Sequence, residues 1–120
     1  MALSRKFSVK QYPLSVRSRR SGETTPTGGG LENYIKVKWH HSSESEPVEL
    51  YSELDENRYE VRKIEMYRSG HLDFADGSRT SGNTRLGELP VPPIHEINDD
   101  TQFEASLISK ETFEALWKNL

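Results

Sequence analysis

The stretch Tyr59 to Asp76, YEVRKIEMYRSGHLDFAD, holds a strand, a turn and a returning strand, and only one pairing of the two strands keeps their apolar residues together. Its turn signal is Ser69-Gly70. With Arg68, Ser69 and Gly70 as a three-residue loop, closed by Gly70 in the left-handed region that glycine enters freely, Tyr67 faces His71, Met66 faces Leu72 and Ile64 faces Phe74. Ile64, Met66, Leu72 and Phe74 then share one face. A two-residue loop at Ser69-Gly70 would pair Tyr67 with Leu72 and Glu65 with Phe74 and scatter the apolar residues over both faces, so the three-residue register is the expectation. On the opposite face that register sets Glu65 against Asp73. Val61 and Ile64 differ in parity, which predicts a bulge near Arg62-Lys63 if both are to face the core.

Around this hairpin the chain divides in two. Residues 1–33 are rich in Ser, Arg, Thr and Gly and end in the Gly28-Gly29-Gly30 run, a composition that predicts a disordered basic arm and a flexible linker. Residues 34–120 are expected to form a single domain. There Ile35, Val37 and Trp39 alternate with Lys36, Lys38 and His40 as a half-buried strand, and Val48 to Tyr51 supplies a second strand pairing back on it, read as an edge strand, with Pro47 tolerated only at an edge or strand-start position. Gly77 to Gly87 reads as an exposed loop, and Pro90, Pro92 and Pro93 force an extended path from which Val91 and Ile94 can dock. The strongest helix signal is at the end: Ser109 as N-cap, Ile108 and Phe113 as a hydrophobic staple, and Phe113, Leu116, Trp117 and Leu120 on one stripe.

The predicted fold class is α+β, a small, mostly antiparallel sheet of about four strands with one C-terminal helix packed on a face. Its core is expected to draw on Ile35, Val37, Trp39, Val48, Leu50, Val61, Ile64, Met66, Leu72, Phe74, Ile94, Ile97, Phe113, Leu116 and Trp117.

Charge separates the same two regions. Arg5, Lys6, Lys10, Arg17, Arg19 and Arg20 against Glu23 give residues 1–30 a net charge of +5, leaving −8 on the remainder of a chain whose total is −3. The absence of cysteine excludes disulfides and thiolate chemistry and fits a reducing compartment. No apolar run approaches the roughly 20 residues that cross a bilayer, and the expectation is a soluble cytoplasmic protein without membrane association.

Several segments, YIKVKW (Tyr34 to Trp39), EPVELYSELD (Glu46 to Asp55), RYEVRKIE (Arg58 to Glu65), TRLGE (Thr84 to Glu88) and PVPPIHEIN (Pro90 to Asn98), resemble a bacterial family known as a domain of unknown function. The resemblance covers roughly Tyr34 to Trp117, leaves the basic arm outside, and implies no catalytic residue. In size and acidic, small-sheet style the domain is similar to many bacterial immunity proteins and antitoxins, an analogy of style and not of motif.

Candidate chemistry is sparse. Adjacent His40 and His41 point to opposite faces of a strand, no acidic or cysteine partner stands at a ligand spacing to them or to His71 and His95, and neither a metal nor a cofactor is expected. The Glu65/Asp73 pair could act in acid/base work or simply lie screened on an exposed face. Arg79 and Arg85 could grip an anion, or Arg85 could pair with Asp76 or Glu88 to hold the loop down. Arg17, Arg19 and Arg20 could neutralise nucleic-acid phosphates. The densest acidic run, Glu44, Glu46, Glu49, Glu53, Asp55 and Glu56, is the expected partner-binding edge. The functional expectation is thus a non-enzymatic, monomeric or homodimeric protein-binding domain of the immunity or antitoxin kind, covering a basic toxin with its acidic surface. The alternative is a regulatory or nucleic-acid-associated module that binds through its arm.

Overall fold

The structure is a computed structural model that describes residues 33–120; the expectations for the arm, Arg17, Arg19 and Arg20 included, lie outside the described residues. Alternation of apolar and polar side chains makes β1 (Tyr34–Trp39), β2 (Glu49–Leu54), β3 (Glu60–Met66) and β4 (Leu72–Ala75). A short helix α1 (Ile94–Asn98), a fifth strand β5 (Phe103–Leu107) and the helix α2 (Lys110–Trp117) complete the fold. All pairings are antiparallel and the sheet order is β4-β3-β2-β1-β5. The fold class is α+β. Among the described residues no helix is long and apolar enough to cross a membrane.

The central hairpin adopts the three-residue register. Gly70 has φ 94°, its N–H donates to Tyr67 O, and Tyr67 N–H donates to His71 O. Met66 pairs with Leu72, Ile64 with Phe74 and Glu65 with Asp73. The bulge, however, does something other than turn Val61 inward. The register shifts where Glu53 and Leu54 oppose Arg62 and Glu60, so Val61 is the extra residue; it stays 40% exposed while Glu60 turns into the interior. β2 is also not an edge: it lies between β1 and β3, with Pro47 just before its start.

Both faces of the sheet are covered, and each carries its own core. On one face Ile35, Val37 and Trp39 of β1, Leu50 and Leu54 of β2, and Phe103 and Ala105 of β5 pack under Val91, Ile97 and Ile94. On the other, Tyr51 and Ile64 pack with Tyr34, Met66 and Leu72 against Phe113, Leu116 and Trp117 of α2. The proline path holds as far as Pro93, where ψ is 152°, and then turns into α1. α2 starts at the expected cap, Ser109 Oγ accepting from Thr112 N–H at 3.0 Å, and buries Phe113 completely. Its eight residues are too few for helix propensity to hold it, so packing must. Arg62 supplies much of that packing: its guanidinium lies 4.9 Å from the centres of both the Phe113 and Trp117 rings and bonds Glu114 of α2 and Glu53 of β2.

Each edge of the sheet has one residue whose outward backbone groups are both occupied. At β5 the Asn98 amide donates to Ala105 O at 3.1 Å and accepts from Ala105 N–H at 2.6 Å, occupying both outward backbone groups of that residue. At β4 Phe74 N–H donates to Ser81 Oγ at 3.0 Å, and Phe74 O accepts from Ser81 N–H at 2.8 Å. Occupied positions of this kind blunt an edge against strand pairing with another chain.

Candidate functional site

The register that gathers Ile64 and Phe74 on one face puts Lys63, Glu65, Asp73 and, through the bulge, Glu60 on the other. That face is covered on the β3–β4 side by the segment 77–90, so these four charged side chains are buried, with Lys63 and Glu65 at 0% exposure. The exposed polar face expected for Glu65 and Asp73 is in fact an interior. The sheet has a second covering layer there, which a one-helix fold would not supply.

Burial of charge is costly unless each group finds partners, and here the covering segment provides them. Thr84 Oγ1 donates to Glu65 Oε1 at 2.7 Å, Ser81 Oγ donates to Asp73 Oδ1 at 2.8 Å, and Gly87 N–H donates to Glu60 Oε1 at 2.6 Å. Lys63 Nζ lies 3.2 Å from Glu60 Oε1 and donates to Arg85 O at 3.0 Å. Ser52 Oγ donates to Glu60 Oε2, and His71 Nε2 stands 3.1 Å from Asp73 Oδ1. Gly82, at φ 58°, passes so close to the Asp73 carboxylate that a Cβ there would clash with it. Tyr67 borders the same group; burial first, then the negative charges of Glu65, Asp73 and Glu46, pushes its phenol up to about 12. With the segment in place, Glu65 is sealed at 0% exposure and the charged groups are satisfied inside the fold.

The expected acidic run is broken up by the fold. Glu46 is buried. Glu49 accepts from Tyr51 Oη and neighbours Lys36, and Glu53 is taken by Arg62 and Tyr34 Oη. Asp55 accepts from Asn57 N–H and Tyr59 N–H in the β2–β3 turn. Only Glu44, Asp55 and Glu56 are exposed, and β2 separates Glu44 from the other two by roughly 20 Å.

A different acidic surface forms across the chain. His40 N–H donates to Gln102 O, so the β1–β2 loop carrying Glu44 and the α1–β5 turn carrying Asp99 and Asp100 lie at one end of the sheet, with Glu104 of β5 beside His40. All four carboxylates are exposed. Some 55 residues separate Glu44 from Asp99 in sequence, and only the pairing of β5 with β1 joins them. The Asp99-Asp100 dyad was the one local signal.

Arg79 and Arg85 have different partners. Arg79, and not Arg85, pairs with Asp76, whose carboxyl is held below its usual range first by the Ser78 and Arg79 backbone N–H groups; Arg79 also covers the Phe74 ring. Arg85 donates to Thr84 O and lends its own carbonyl to Lys63. His41 is tied into the β1–β2 loop through Pro47 O and Ser43 N–H. Two open hollows, about 550 Å³ along Lys36, Lys38 and Ser106 and about 340 Å³ along Trp39, His41 and Arg68, include neither Glu65 nor Asp73.

A family model described as a domain of unknown function, DUF6881, matches residues 33–120. The chain belongs to the DUF6881 family. The match begins where the described fold begins, and takes in every strand and both helices of this DUF6881 domain. No curated protein and no solved structure matches the chain.

Proposed function

We propose that this DUF6881 protein is a non-enzymatic binding protein of the bacterial immunity or antitoxin kind, acting in the cytoplasm and covering a basic protein partner with an acidic surface. The observation that carries the reading is the sorting of charge. The groups with the strongest potential for chemistry, Lys63, Glu65 and Asp73, are spent on Glu60, His71 and the covering segment, while Glu44, Asp99, Asp100 and Glu104 face solvent at one end of the sheet. An acidic end of this kind steers a basic partner toward it and makes association dependent on salt. The occupied outward groups of Ala105 and Phe74 at the two sheet edges favour contact through side chains over strand exchange.

The second reading, a nucleic-acid-associated module, rests on the net charge of +5 in residues 1–30. Affinity capture at low salt from the native host separates the two when run on the full chain and on a chain starting at Leu31. A basic protein retained in equal proportion by both, and whose activity the domain suppresses, supports the acidic-surface reading. Nucleic acid, or a partner lost with the arm, supports the second.

A further inference from the structure

Segment 77–90 is fixed at its two ends and polar in its middle. At the first end Asp76 Oδ1 accepts from Ser78 and Arg79 N–H groups and Thr80 bridges back to Ala75. At the second, Val91 is buried in a core, its N–H donates to Arg58 O, and Arg58 donates through Nε to Val91 O and through Nη2 to Pro92 O, both at 2.8 Å. Arg58 sits at φ 68°, a conformation unfavourable for its residue type, which fits a fixed anchor point. Between the anchors, the bonds to the sheet include those of Ser81 to Asp73 and to both backbone groups of Phe74, Thr84 to Glu65, Arg85 O to Lys63 and Gly87 to Glu60. Neither Leu86 nor Leu89 joins either apolar cluster.

We propose that residues 81–88 form a strap that opens as a unit while the sheet stays folded, uncovering Glu60, Lys63, Glu65 and Asp73. An apolar lid loses its burial free energy when it lifts, because water offers nothing in exchange. This strap exchanges protein hydrogen bonds for water at groups that are strongly hydrated, so the net cost of each broken bond is well below its strength in the dry interior. Glycine at 82 and 87 leaves the backbone on either side of Thr84 free to rotate, and the two anchors return it to register. Elements held this way occupy the low-stability end of a domain's opening spectrum. The protein thus has two surface states, one with the charged row sealed and one with it presented.

Native-state hydrogen exchange on the full chain tests this. After correction for intrinsic rates, the amides of Thr84 and Gly87 are expected to exchange at least about tenfold faster than those of Lys63 and Ile64 in β3, with a weaker dependence on denaturant. In an S81A/T84V variant the strap amides speed up by about a further tenfold while Val37 and Leu50 keep their rates. Equal opening free energies and denaturant slopes for Gly87 and Ile64 would show that the strap leaves only when the sheet unfolds. That result, or strap rates unmoved in the variant, would overturn the proposal.

Discussion

Arg62 is the side chain on which the second face most depends. It lies between two aromatic rings and two carboxylates, and its guanidinium holds the Glu114 carboxyl below its usual range. A planar, forked cation suits that position and an ammonium does not. R62K is expected to cost about 1–2 kcal/mol and R62A about 2–4 kcal/mol in urea denaturation, with a red shift of Trp117 emission in the alanine variant. Equal stability of the wild type and R62A would mean that the apolar packing of Phe113, Leu116 and Trp117 holds α2 without Arg62. The tyrosines set the alkaline limit. Tyr67 is raised to about 12 by burial and by Glu65, Asp73 and Glu46; Tyr51 is raised by burial and Glu49, and Tyr34 by burial and Glu53. A folded value above the unfolded 10.0 means that unfolding releases protons at high pH, so this stability is complete below pH 10 and is lost as pH rises through about 12. In Y67F the alkaline fall in stability becomes shallower across that window, measured by denaturation at fixed pH.

At the scale of elements, β1, the β3–β4 hairpin and α2 could be read from residue pattern because each carries its own signal. β1 alternates Ile35, Val37 and Trp39, Gly70 closes the hairpin, and Ser109 with Phe113 marks the helix start. β5 carries no such signal. Phe103 is its only large apolar residue facing the core, and Ala105 and Ser106 have weak strand preference; it forms because the outer side of β1 needs a partner and α1 covers it. α1 is five residues long, directly after a proline path, too short for a helical period to show. Lys63 and Glu65 alternate with Ile64 as a solvated face would, and their burial depends on a covering loop contributed from 20 residues further along. The acidic end was hidden for the same reason, since it needs β5 in place beside β1. Asn98 gives a prediction at this scale. N98A frees the outward N–H and C=O of Ala105, with a stability loss of up to about 1 kcal/mol and concentration-dependent self-association by sedimentation velocity. A variant that remains monomeric at all concentrations would show that the edge needs no such cover.

For the whole molecule the governing feature is where charge is placed. Residues 33–120 carry 17 carboxylates against 10 Lys and Arg, and the fold takes Lys63 and Arg62 inward while leaving Glu44, Asp99, Asp100 and Glu104 outside. A domain so arranged has charge as an extended means of recognition, and at the end where two loops distant in sequence meet its four exposed carboxylates stand against Lys38, opposite Glu104, and Arg68, bonded to His41 O. Association kinetics test this most directly. The rate with the basic protein retained in capture is to be measured from low to physiological ionic strength, for the wild type and for D99K/D100K. The wild-type rate is expected to fall steeply with salt and the variant to associate at least about tenfold slower at low salt with a flattened salt dependence, its thermal stability lowered only slightly by loss of the Asp100 Oδ1 bond to Gln102 N–H. A variant that associates at the wild-type rate with the wild-type salt slope would contradict the acidic end as the binding surface.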